Sequence, residues 1–217
     1  MPVSSQAPTA TQQAQIPAGY TALRTESVSL EAVKELQLPL SYEDVTIYPS
    51  ADNTLTYIFC GNNSWNYAEN EIATLSLKDG TLILESGVWN KAWSRLTYRK
   101  WQPKIFIYLP ADLSADLSAS IGSGSMKSTM AVTADTVALD TASGSMTFSD
   151  VNSRSGLVVS NGSGSTKTGS LTCTKAELDN SSGSLRMNAV NASMNGIISN
   201  GSGSLTAGNI TVGTTAA

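Results

Sequence analysis

The chain has 217 residues, 41% apolar and 14% charged, with a net charge of −4 and no histidine. So acidic and sparsely charged a sequence lacks the basic domain that nucleic-acid binding requires. Without histidine it also has no Ser-His or Cys-His nucleophile pairing and lacks the commonest metal ligand. No run reaches the ~18 apolar residues of a membrane helix. Cys60 and Cys173 are too far apart for a CxxC metal or redox motif and read as buried thiols.

In chain order, residues 1–19 are rich in Gln, Ala, Thr, Ser and Pro, carry no charge, and read as a disordered linker. They lack the basic and apolar regions of a signal peptide, though such a linker can follow a removed signal or anchor. Residues 20–110 hold nearly all the aromatic residues and form a distinct N-terminal β region. Ser29–Leu36, with good helix formers and a candidate Ser cap, is the one helical candidate. The overlapping Val33–Leu38 alternates as a strand would. Strands are predicted at Val45–Pro49 and Leu55–Phe59, with a turn at Ser50–Asn53 between them. Ile72–Leu77 and Leu82–Leu84 form a hairpin through Lys78-Asp79-Gly80, where Asp-Gly supplies the positive φ angles of a tight turn. Ile105–Leu109 is the last strand of this region.

Residues 111–217 repeat. A Ser-Gly-Ser triplet recurs at Ser123, Ser143, Ser163, Ser182 and Ser202, with spacings of 20, 20, 19 and 20 residues. Such a period is the signature of stacked supersecondary units. Aligned on the triplets, the sequence shows apolar columns: Met126, Met146, Thr166, Leu185 and Leu205, then Ser128, Phe148, Thr168, Met187 and Ala207. A third column is Val132, Val151, Leu171, Val190 and Ile210, and a fourth is Ala119, Leu139, Val159, Leu178 and Ile198. Alternate residues share one face of a strand, so these columns predict a continuous core. One rung alone cannot bury enough apolar surface to offset the cost of ordering its backbone, so stability must come from stacking. Gly124, Gly144, Gly164, Gly183 and Gly203 are the turn glycines, expected to take the positive φ of a sharp corner. Asn161, Asn180 and Asn200, two residues before their triplets, are placed to form an amide ladder. The fold class is therefore all-β: an N-terminal β layer or cap continuing into a single-stranded parallel β-solenoid with rungs of about 20 residues.

Asp44-Val-Thr-Ile-Tyr-Pro-Ser50, Asp79-Gly-Thr-Leu-Ile-Leu84 and Ile105-Phe-Ile-Tyr-Leu-Pro110, leading into Ser-Gly-Ser rungs, resemble a known family. This is the bacterial putative-adhesin family with β-strand repeats, a domain of unknown function related to autotransporter-adhesin head domains. The resemblance spans residues 30–210. It implies an extracytoplasmic place at the cell envelope or surface, often behind a membrane anchor, and no catalytic residues. This chain departs from the family in a tryptophan-rich insertion and in showing no anchor.

That insertion, Trp89 to Trp101, interleaves aromatics with cations: Trp89, Lys91, Trp93, Arg95, Tyr98, Arg99, Lys100 and Trp101. Aromatic faces stack on sugars and the cations pair with carboxylates or phosphates, so these eight residues are the candidate binding site. Alternatively, the aromatics pack the β layer while the cations snorkel outward. The carboxylates Asp135, Asp140, Asp150 and Asp179 are scattered along the solenoid and suggest no acid pair for glycoside chemistry. No cofactor or metal is expected. The function expected is a non-enzymatic envelope interaction module that binds a glycan, an envelope polymer or a protein. A scaffold that associates weakly end to end through an open β edge is the alternative, and a polysaccharide-active β-helix enzyme fits less well.

Overall fold

The protein is described by a computed structural model covering residues 16–88 and 102–213. Strands β1 (Tyr20–Ser29), β2 (Glu35–Leu40), β3 (Asp44–Pro49), β4 (Thr54–Asn62), β5 (Thr74–Lys78), β6 (Thr81–Glu85) and β7 (Lys104–Leu109) come first. They are followed by β8 (Asp116–Ile121), β9 (Ser125–Ser128), β10 (Val132–Ala134), β11 (Val137–Thr141), β12 (Ser145–Thr147) and β13 (Val151–Ser153). The last four are β14 (Gly156–Asn161), β15 (Ser165–Asn180), β16 (Ser184–Asn200) and β17 (Ser204–Val212). The architecture is an all-β parallel solenoid of about 5 turns with rungs about 20 residues apart.

The columns seen in the sequence are the observed registers. Met126, Met146, Thr166, Leu185 and Leu205 are Cα partners in succession, as are Val132, Val151, Leu171, Val190 and Ile210. Ala119, Leu139, Val159, Leu178 and Ile198 form the fourth column. Each rung turns three corners, so the solenoid has three faces. The first stacks β8, β11, β14 and the C-terminal parts of β15 and β16. The second stacks β9, β12, the N-terminal parts of β15 and β16, and β17. The third stacks β10, β13, the middles of β15 and β16 and the end of β17. Its outward column, Thr133, Asn152, Thr172, Asn191 and Thr211, is uncharged.

The N-terminal region is threaded into this stack. β2 lies parallel between β6 and β8, and β3 lies parallel between β7 and β9. Thus β2 and β3 form a rung beneath the first Ser-Gly-Ser rung, and β6 with β7 forms another beneath that. One buried cluster runs without a break from Leu30 to Ala192, across both sides of residue 110. β5 pairs antiparallel with β6, β4 with β7, and β1 with β4, closing this end of the stack. Ile16 packs with Tyr20, Ala22 and Tyr48 against Ile58, Cys60, Phe106 and Tyr108 on the outside of the second face. Both cysteines are free and buried. Burial pushes the Cys60 thiol up to about 12.

The five predicted strands and the Asp79-Gly80 hairpin are present, with φ of 52° and 86° at those two turn residues. Of the two readings of this stretch, the helix at Ser29–Leu36 is not formed and the strand suggested by the Val33–Leu38 alternation is. Ser29 ends β1 and Glu35 begins β2, whose backbone is paired on both edges. The Lys34 and Glu35 N–H groups also donate to the Gly80 carbonyl at 2.8 and 3.3 Å. Helix propensity differs by only tenths of a kcal/mol per residue, and two-sided pairing of a strand that buries Leu36, Leu38 and Leu40 outweighs it.

The triplet glycines occupy the expected corner, but the expected reason is corrected: none has a positive φ, which among described glycines occurs at Gly19 and Gly80. Close stacking is what requires glycine. A Cβ on Gly144 or Gly164 would lie 2.4 Å from the carbonyl oxygen of the preceding triplet glycine, and on Gly183 or Gly203 it would lie 2.2 Å away. On Gly124 it would lie 2.2 Å from the Glu43 carbonyl oxygen.

The amide ladder is present. Asn161 Nδ2 donates to Asn180 Oδ1 at 2.7 Å, and Asn180 Nδ2 donates to Asn200 Oδ1 at 2.7 Å. Each Asn also reaches the carbonyl of its own triplet glycine at 3.2–3.3 Å. Thr166, inward in an otherwise apolar column, joins the ladder. Its hydroxyl lies 3.1 Å from Asn161 Oδ1 and 2.8 Å from Thr141 Oγ1.

Candidate functional site

Backbone equivalence extends the triplet corner into the N-terminal rung. Gly122 and Ser125 donate to the Leu40 and Glu43 carbonyls, just as Ala142 and Ser145 donate to those of Ile121 and Gly124. Ser41-Tyr42-Glu43-Asp44 therefore stands where the next rung has Gly122-Ser123-Gly124-Ser125. Large, polar and charged side chains replace the triplet at this corner.

Glu43 is fully buried. Its Oε2 accepts from the Ser41 and Tyr42 N–H groups at 3.1 and 3.0 Å and from the Ser86 hydroxyl at 2.8 Å. Its Oε1 is buried with no partner among the described residues. Burial raises the Glu43 pKa, and these hydrogen bonds offset that only in part. Asp44 moves the other way. Burial alone would raise its pKa, but hydrogen bonds from Lys104 and from Ser125, the latter at 2.6 Å, together with the Lys104 charge, hold it below the usual carboxylate range.

The same loop fastens both flanks of the tryptophan-rich segment. The Ser41 N–H donates to Ser86 Oγ at 2.8 Å, and Tyr42 Oη lies 3.3 Å from the Gly87 carbonyl oxygen. On the returning side, Gln102 Nε2 donates to the Tyr42 carbonyl at 2.9 Å and the Asp44 N–H to that of Pro103 at 3.0 Å. Trp89, Lys91, Trp93, Arg95, Tyr98, Arg99, Lys100 and Trp101 themselves lie outside the described residues. What the structure locates are the flanks: Ser86 and Gly87 stand against Ser41 and Tyr42, and Gln102 stands beside the triplets.

A groove of ≈ 360 Å³ opens there, lined by Asp44, Gln102, Ser123, Gly124, Ser125, Ser143, Gly144 and Ser145. Its lining is hydroxyls, one amide and one carboxylate, a set that exchanges hydrogen bonds with a polyhydroxylated ligand. Sequence reading missed Tyr42, Glu43, Asp44 and Gln102 as parts of this corner. The available signal was the match of Asp44-Val-Thr-Ile47 to Ser125-Met-Lys-Ser128, whose alternate residues occupy the same columns.

The solenoid carboxylates do not converge. Asp135 pairs with Arg154 at 2.9 Å, and Asp150 accepts the Ser170 N–H at 2.7 Å. Asp140 and Asp179 share an outward column with Ser160 between them.

Three solved structures have similar shapes at low identity. A putative cell adhesion protein from Clostridium sporogenes is 16% identical, with 88% of this chain and 99% of that one covered and a TM-score of 0.44. A putative adhesin from Bacteroides fragilis is 13% identical, covering 90% and 98%, with a TM-score of 0.38. A putative lipid binding protein from Parabacteroides distasonis is 15% identical, covering 88% and 97%, with a TM-score of 0.32. Comparison with curated proteins finds no match. The model of the family Toastrack DUF4097 matches residues 33–216, and the chain belongs to that family.

Proposed function

We propose that this protein is a non-enzymatic, extracytoplasmic envelope module that binds glycans or envelope polymers at the Ser-Gly-Ser corner, with the Trp89–Trp101 segment as part of the contact. The observation that carries this reading is the fastening of both flanks of the segment to Ser41–Asp44, beside a hydroxyl-lined groove. Aromatic faces supplied next to hydroxyl and carboxylate partners form a sugar-binding combination. The experiment is binding of the purified chain to an array of bacterial glycans, peptidoglycan fragments and anionic lipids. A Trp89→Ala/Trp93→Ala/Trp101→Ala variant with unchanged circular dichroism serves as comparison. Glycan binding lost in the folded variant is the expected result; no binding by the parent, or equal binding by both, contradicts the reading.

A self-associating scaffold is the second reading, favoured by the last described rung. There the core columns reach solvent: Ile198 is 41% exposed and Ile210 49%. The described residues beyond Arg186 carry no charge to discourage edge pairing. Sedimentation that shifts with protein concentration is expected on this reading, and a monomer at every concentration excludes it.

A further inference from the structure

The solenoid's second face bears an ordered row of cations. Lys127, Thr147, Lys167, Arg186 and Thr206 are Cα partners in succession on β9, β12, β15, β16 and β17. Lys127, Lys167 and Arg186 are exposed, and none has an ion-pair partner among the described residues. Two residues earlier on each strand, and therefore on the same face, Ser125, Ser145, Ser165, Ser184 and Ser204 make a parallel row of hydroxyls. Rungs repeat every ~4.8 Å, so the cations lie in single file over about 15 Å along the solenoid axis. The acid bordering these rows is Asp44, already held by Lys104 and Ser125.

Most other acids of the solenoid lie off this face, and Asp150, at the corner that ends it, is held by the Ser170 N–H at 2.7 Å. Glu35, Asp116, Asp140, Glu177 and Asp179 all belong to the first face, on β2, β8, β11 and β15. In a chain of net charge −4, that separation leaves a locally positive strip that attracts anions despite the overall sign.

We propose that this strip binds a linear carboxylated polysaccharide laid along the solenoid axis. The Lys and Arg side chains pair with its carboxylates, and the adjacent serine row exchanges hydrogen bonds with its hydroxyls. Two features favour this occupant. The cations are in single file rather than clustered, which fits an extended chain, and the flanking hydroxyl row fits a ligand that alternates anionic and hydroxyl groups. Neither row contains an aromatic or large apolar side chain to stack on bases or insert into a bilayer. The proposal rests on the glycan-binding reading above, because Ser125 and Ser145 line both the strip and the groove.

The test is equilibrium binding of the full chain to polygalacturonate, polyphosphate, dextran and phosphatidylglycerol vesicles, at low and at physiological salt. The parent is compared with a Lys127→Gln/Lys167→Gln/Arg186→Gln variant and with the tryptophan triple variant, both checked for folding. Three exposed charge contacts predict polygalacturonate binding roughly tenfold weaker in the cation variant, and weaker in the parent as salt rises. Equal binding of polygalacturonate by parent and cation variant overturns the proposal. So does a preference for vesicles, or for polyphosphate over polygalacturonate. Trp-dependent binding of neutral glycans without polygalacturonate binding overturns the strip alone and leaves the groove reading standing, whereas no glycan binding of any kind removes both.

Discussion

Glu43 shows how one position can depart from a repeat and gain a different role. Every later rung has glycine at this corner because the stacked backbones leave no room for a Cβ. In the N-terminal rung the equivalent residue turns a carboxylate inward, where it holds the Ser41 and Tyr42 N–H groups and Ser86. Its pKa is raised above the ordinary 4.5. The folded state therefore holds this proton more tightly than the unfolded chain does. That contribution to stability is fully present below the unfolded pKa and is lost as pH rises through the folded one. A Glu43→Gln variant is expected to gain stability relative to the parent as pH rises from about 4 to 8, measured by urea denaturation at each pH. Asp44 is common to both proteins and cancels in the comparison; a stability difference independent of pH contradicts the assignment. The glycine account makes a paired prediction. Gly164→Ala places a methyl against the Gly144 carbonyl oxygen, whereas a Cβ on Gly156 meets nothing within 4 Å. The first is expected to cost roughly 2 kcal/mol or more and the second to stay within about 0.5 kcal/mol of the parent, by the same denaturation.

At the scale of the element, the amide ladder is what makes the polar corner column tolerable in a core. The column runs Leu40, Ile121, Thr141, Asn161, Asn180 and Asn200. It changes from apolar to polar along the stack, and each buried amide is paired with the next. Asn180→Ala takes away an acceptor from Asn161 and a donor from Asn200, and is expected to destabilise by roughly 2 kcal/mol in a thermal or urea melt. A neutral result would mean that the ladder is ornamental. The repeats were legible in the sequence because a strand's two-residue alternation and the 20-residue rung both leave marks in the order of residue types. Thr166 shows the limit of that reading. It aligns with Met146 and Leu185 and looks like a flaw in an apolar column, and only its contact with Asn161 explains it. Between the helix and the strand readings of residues 29–38 the sequence alone did not decide, for a related reason, since local propensity carries no information about strands waiting on both edges.

For the whole molecule, the order of stacking differs from the order of the chain. β2 and β3 enter between a rung made later by β6 and β7 and the rung made by β8 and β9. This placement brings Ser41–Asp44 beside the triplets and carries both flanks of the tryptophan-rich segment there. Apart from the match of Asp44–Ile47 to Ser125–Ser128, no local pattern encodes it. The N-terminal rung lacks a triplet, and its neighbours lie some 40 to 80 residues away in sequence. For the same reason the groove, assembled from four separate stretches of chain, was invisible in the sequence, although the aromatic segment stood out by composition.

The most direct measurement is a disulfide bridge across the inserted rung. Gln37 and Ser118 are Cα partners on β2 and β8, and neighbouring strands lie within disulfide reach. Under mild oxidation the Gln37→Cys/Ser118→Cys chain is expected to form a 37–118 bridge, detected by mass spectrometry of digests. It should do so as completely as a Ser118→Cys/Ala138→Cys control within the repeats. A folded chain that forms the control bridge but not the 37–118 bridge would contradict the inserted rung and, with it, the placement of the recognition corner.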